Sequence, residues 1–258
     1  MISYIVATLL AAILGQVVAH LINRLPEIIE DDDAIKKLIP TLKTGFKWDY
    51  KYTMVLLVLF NLVAFFVGNT YMSYIYMVLI SMLVVALVID FKMQLIPDTV
   101  QVIIAILGII TIAFNPSTWP NHLIGMVVGG GTFLLIALFS KLVFRKEGMG
   151  MGDIKLMAGL GLLFGINALP TSVMDFFIQA KVILTITVIA FFMAAIVAVI
   201  LIATKKTEKS SYMAFGPYIV VATILVILFG TDVFLNVYFG LCTGLANIMT
   251  DLMMKFVG

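Results

Sequence analysis

The chain has 258 residues, of which 63% are hydrophobic and 12% charged. Soluble domains sit nearer half apolar and about a quarter charged, so a soluble globular protein is excluded and a polytopic membrane protein is expected. The net charge of +2 points to no nucleic-acid partner, because the basic residues sit in short loops between apolar runs, and a lone cysteine, Cys242, excludes an internal disulfide framework and a cysteine-based zinc site.

The first apolar run, Ile2 to Ile22, is too long for a typical signal-peptide core and starts without a basic leader, so it reads as a retained span. A span needs about 20 apolar residues. The chain predicts eight, at roughly 2–22, 53–68, 71–90, 99–114, 122–143, 153–166, 180–204 and 212–229. Turn chemistry separates them at Gly68-Asn69, Pro97-Asp98, Asn115-Pro116 through Pro120-Asn121, and Pro170. The tail, 231–258, is mildly apolar and reads either as an interfacial helix or as a ninth span, the membrane-embedded reading being preferred. Inside the fifth span, Gly129-Gly130-Gly131 suits close helix packing. The expected fold is therefore all-α: one integral membrane domain over 1–258, a bundle of about eight transmembrane helices with a C-terminal hydrophobic tail and a polar loop at about 23–52.

Lys and Arg orient the bundle. With the N-terminus outside, the inside loops hold fourteen of the sixteen basic residues, and the outside loops hold only Lys181. This places Asp90, at the end of the third span, and Asp153, at the start of the sixth, on the same inside face. Ionisable residues at the edge of apolar spans are functional candidates. Two carboxylates sharing a site cannot both ionise cheaply, so one keeps its proton; one acid then serves as general base on a water and the other as general acid. That is aspartyl-protease chemistry, needing neither a metal nor a nucleophilic Ser or Cys. Taken singly, each acid also reads as an ordinary helix end or cap, and Asp98, after Pro97, reads most simply as a cap. Depth alone does not set the two acids side by side. The glycines before Asp153 are expected to adopt backbone conformations closed to other residues and to offer amides to an extended peptide.

At these residues the sequence resembles the type IV prepilin peptidases, membrane aspartyl proteases of the GxGD type. Four blocks carry the resemblance in order: Gly15 to Pro26, closing on Arg24-Leu25-Pro26; Ile89-Asp90 through Ile96-Pro97-Asp98; Arg145 through Leu156, with Gly150-Met151-Gly152-Asp153 at its centre; and Phe215-Gly216-Pro217-Tyr218. The resemblance implies that Asp90 and Asp153 are the catalytic pair and that Gly150 and Gly152 are the motif glycines. Glu147 and Asp98 fall inside matched blocks and are expected at the substrate-binding side of the motif. It further implies cleavage of the basic leader from prepilin or pseudopilin precursors at the cytoplasmic face of the bacterial inner membrane, among membrane lipid. Proteolysis needs no cofactor; S-adenosylmethionine is the methyl donor where the new N-terminus is methylated. Many relatives carry two Cys-x-x-Cys pairs in the first cytoplasmic loop. Residues 27–52 here contain none, which argues against zinc. The acidic run Glu30 to Asp33 in that loop suits recruitment of a basic leader. Two other classes compete. A small transporter relaying protons between two acids would show inverted repeats and a midplane site. A non-catalytic pilus or secretion assembly protein would tolerate loss of either acid.

Overall fold

The computed structural model describes residues 2–29, 50–144, 149–204, 214–238, 240, 243 and 249. The expectations placed on the acidic run, Glu147, Cys242 and most of the tail fall outside them. Among the described residues the regular structure is entirely helical. The elements are α1 (Ile2–Ile29), α2 (Tyr50–Phe66), α3 (Tyr71–Met93), α4 (Asp98–Phe114), α5 (Trp119–Phe144), α6 (Met151–Phe164), α7 (Val173–Gln179), α8 (Lys181–Ala203) and α9 (Gly216–Phe229), with a short α10 (Thr231–Tyr238).

Local chemistry sets the ends. Thr70 caps α3 through a capping box with Ser73. At the other end Gln94 takes a left-handed conformation, φ 53°, and its N–H bonds the Asp90 carbonyl, which stops the helix four residues after the acid. Gly68, Gly165 and Gly230 turn the chain at positive φ after α2, α6 and α9. Pro120 lies in the first turn of α5 rather than in a loop, where its missing N–H costs nothing. Pro26 is tolerated in the last turn of α1, which runs past the predicted end at Ile22.

Helices form at all eight predicted stretches. Four of them are long and apolar enough to cross a membrane: Ser3–Pro26, Tyr71–Met93, Pro116–Val143 and Lys181–Ala203. The pair α9 and α10, bent by 103°, would make a fifth. The chain is a multi-pass membrane protein. The remaining helices are shorter; α6, at 14 residues, is about 21 Å long. Exposed side chains such as Leu9, Ile13, Phe192, Val199 and Ile202 are apolar, as lipid contact requires.

Two helices carry the interior. α3 is buried along most of its length from Ile75 to Asp90 and packs against α1, α2, α4 and α9. α6 packs against α4, α5, α8 and α9. Thus α4 and α9 each touch both acid-bearing helices and bridge them. The tightest seam joins α5 to α6. A Cβ on Gly125 would strike the Gly161 carbonyl oxygen, one on Gly161 would strike that of Gly125, and one on Gly129 would strike that of Met157. Backbone lies on backbone, which only glycine allows. Of the predicted triple glycine, Gly129 and Gly130 are used so, the second with a would-be Cβ 2.9 Å from the Ala158 methyl, while Gly131 faces open space. Gly161→Ala should therefore cost about 1–3 kcal/mol by overpacking and lower the melting temperature by roughly 3–10 °C. Gly131→Ala should cost nothing; thermal unfolding in detergent compares the two.

Candidate active site

Asp90 sits in the last turn of α3 and is 4% exposed. Asp153 sits in the first turn of α6 and is 7% exposed. The two carboxyls lie close enough for the charge on Asp90 to act on Asp153. Topology explains how residues 63 positions apart meet. α3 delivers Asp90 at its C-terminal end, and α6 begins at the same end of the bundle.

Each acid is held by a helix start. The Gly216 N–H, first in α9, donates to the Asp90 carboxyl. The Gly150 N–H donates to the Asp153 carboxyl. Gly150 is the N-cap of α6, so Asp153 is its third helical residue reaching back to the cap, the acidic half of a capping box. Asp153 is thus not itself the cap, the bland alternative for this residue. Asp90 Oδ2 is buried and has no hydrogen-bond partner among the described residues. An acceptor left open in this way is where a proton or a water would be held.

The surroundings are close-fitting. A Cβ added to Gly216 would lie 2.5 Å from Asp90 Oδ2 and 3.0 Å from Ile96 Cδ1. A Cβ on Gly152 would lie 3.3 Å from Ile96 Cβ. Of the motif glycines, Gly152 therefore acts by close approach. The expectation that they adopt conformations closed to other residues is corrected for the two that are described: Gly150 has an ordinary extended backbone, φ −72° and ψ 145°, and Gly152 is helical. Side-chain bulk, not backbone freedom, is what Gly152 avoids, because the Ile96 side chain occupies the space.

Asp98 is the first residue of α4 and not its cap; the N-cap is Pro97, which offers no side-chain bond. Its carboxylate pairs with Lys155 Nζ at 2.7 Å on the surface. Both side chains are exposed, so the pair adds little stability, about 1 kcal/mol at most. It ties the start of α4 to the first turns of α6 and stands apart from the buried acids. Sequence reasoning gave Gln101 no part. It is buried on α4, and its Nε2 donates to the carbonyls of Ile96 and Gly152, both at 3.3 Å. A side-chain amide in the largely apolar run Val100 to Phe114 was the available signal. His122, in the first turn of α5, bonds the carbonyl of Leu162 near the C-terminal end of α6 through Nδ1 at 2.8 Å. Among the described residues no three His, Cys, Asp or Glu side chains gather as a metal site.

The fold and site define an all-helical membrane protein with a buried carboxylate pair at one end of its bundle. Residues 77–203, which include both acids, match the model of the type IV leader peptidase family. Relatives include the prepilin leader peptidase/N-methyltransferase of Pseudomonas putida, 31% identical over 157 residues, covering 60% of this chain and 49% of the relative. The protein of the same name from Neisseria gonorrhoeae is 28% identical over 169 residues, 64% of this chain and 52% of the relative. The leader peptidase HopD of Escherichia coli is 31% identical over 112 residues, 43% of this chain and 64% of the relative. The chain spans about half the length of the first two. No solved structure matches it.

Proposed function

We propose that the chain is a membrane aspartyl endopeptidase that removes the basic leader from type IV prepilin or pseudopilin precursors, with Asp90 and Asp153 as its catalytic pair. The observation that carries this reading is the pair itself: two buried carboxyls within electrostatic reach, on the two helices that form the interior. The likeness of residues 77–203 to the type IV leader peptidases supports the substrate class that its relatives are named for.

The pair shares one proton. The ionised carboxylate takes a proton from a water as that water attacks the scissile carbonyl. The protonated carboxyl gives its proton to the departing amine as the peptide bond breaks. The products are the leader, with a new carboxylate, and the mature protein, with a new amine. The N–H groups of Gly216 and Gly150 hold the two carboxyls in place during the exchange.

The site lies at the cytoplasmic face of the bacterial inner membrane in this reading, since the lysines and arginines gather at that end. All eight apolar helices then cross, the shorter ones enclosed by protein and matched to a locally thinner bilayer. Gly150 and Gly152 are read as the motif glycines beside Asp153, and Glu147 and Asp98 as substrate-binding residues. N-methylation of the new terminus, with S-adenosylmethionine as donor, is supported by the relatives' name alone.

The test is cleavage, by the full chain in membranes, of a substrate built as a short basic leader, a Gly and a hydrophobic span. Loss of the leader as a discrete size shift is expected. An intact substrate, with enzyme shown to be inserted and folded, overturns the reading.

A further inference from the structure

Gln101 is 8% exposed, near the start of a helix whose buried face carries one other polar side chain, Thr111. Its Nε2 reaches two carbonyls that belong to different parts of the site. Ile96 lies on the short turn that leaves Asp90, and Gly152 immediately precedes Asp153. One amide group therefore bonds both acid-bearing segments. Its other atom, Oε1, is buried with no hydrogen-bond partner among the described residues. Burying an amide oxygen without a donor is unfavourable, and a leucine of similar volume would avoid it. The amide therefore sets two hydrogen bonds to carbonyls against one unmet acceptor, so its net contribution to stability is small.

We infer that Gln101 is a positioning residue: its side-chain amide couples the turn after Asp90 to the start of the Asp153 helix and so sets the separation of the two carboxyls. The inference rests on the peptidase reading. Ile96 shows why such a link is needed. Its side chain lies between the two halves of the site, within 3.0 Å of the position of a Gly216 Cβ and 3.3 Å of that of a Gly152 Cβ. An apolar wedge fills space but does not fix a distance. The paired hydrogen bonds, both 3.3 Å long, run beside it and do.

The experiment uses the full chain in detergent or lipid discs with the leader–Gly–hydrophobic substrate, and compares wild type, Gln101→Leu, Gln101→Glu, Asp90→Asn and Asp153→Asn. A shift of about an ångström between reacting groups costs on the order of 100-fold, so kcat of Gln101→Leu should fall by roughly 10–100-fold with KM within about twofold. Its melting temperature should stay within about 4 °C of wild type. Gln101→Glu can donate only when its new carboxyl is protonated, so its activity relative to wild type should rise as pH falls. A merely structural glutamine predicts the reverse pattern: a lower melting temperature, unchanged kcat per folded molecule and an unmoved pH profile. That pattern, or wild-type kcat in Gln101→Leu, overturns the inference while the two aspartate variants stay inactive. Cleavage by either aspartate variant overturns the peptidase reading and this inference with it.

Discussion

Replacing Asp90 or Asp153 by Asn should lower kcat for leader cleavage by at least about 1,000-fold, with insertion and melting temperature nearly unchanged. Asparagine keeps the shape of aspartate and can still meet one backbone N–H. It can neither take a proton from water nor return one to the leaving amine. With one carboxyl left, only half of the exchange remains, and the half-reaction has no use without its partner. The two single variants and the double variant should therefore be about equally inactive, since residues acting as a unit are not additive. The wild-type rate should follow a bell-shaped pH profile, because the pair works only while it carries one proton. Purified variants assayed across pH, with binding of the uncut substrate measured in parallel, separate lost chemistry from lost binding. Full processing by either single variant would remove the pair from the mechanism.

That both acids lie at one end of the bundle was legible in the sequence, because counting the apolar runs between them fixes which helix ends face the same way. That the carboxyls also meet laterally was not, since it depends on α4 and α9 each packing against both α3 and α6. Nothing in the order of apolar residues specifies which helices become neighbours. The glycines show a second limit. A sequence reveals that a side chain is absent without saying whether the backbone or a neighbour required it. Gly129 and Gly161 are needed because another backbone lies against them, and Gly152 because Ile96 does; none of the three needs an unusual φ. Helix caps show a third. An acid near a helix start is a good sign of that start, but Asp98 and Asp153 prove to be the first and third helical residues, with Pro97 and Gly150 as caps. The capping signal is good to a few positions, and here three positions separate the cap, Gly150, from the carboxyl of Asp153.

Gly216→Ala should lower kcat by about 100-fold while leaving the fold intact. The added methyl would sit 2.5 Å from Asp90 Oδ2, against roughly 3.4 Å and more for ordinary contact. Something must yield by nearly an ångström. The backbone of α9 is held by Ile219, Val220, Ala222 and Thr223, all fully buried, and gives way least. The Asp90 carboxyl is the freer group, since Oδ2 has no described partner to hold it. It therefore swings away from its place opposite Asp153, and the N–H of residue 216 loses its aim on the carboxyl as well. Helix propensity works in the opposite direction, because alanine stabilises a first turn relative to glycine. The melting temperature should thus change little, and the loss should appear in kcat rather than in the amount of folded enzyme. Gly131→Ala, with nothing within 4 Å of its new methyl, is the matched control and should cleave like wild type. Equal kcat for Gly216→Ala and Gly131→Ala would mean that Asp90 is not held against the start of α9 when the enzyme turns over.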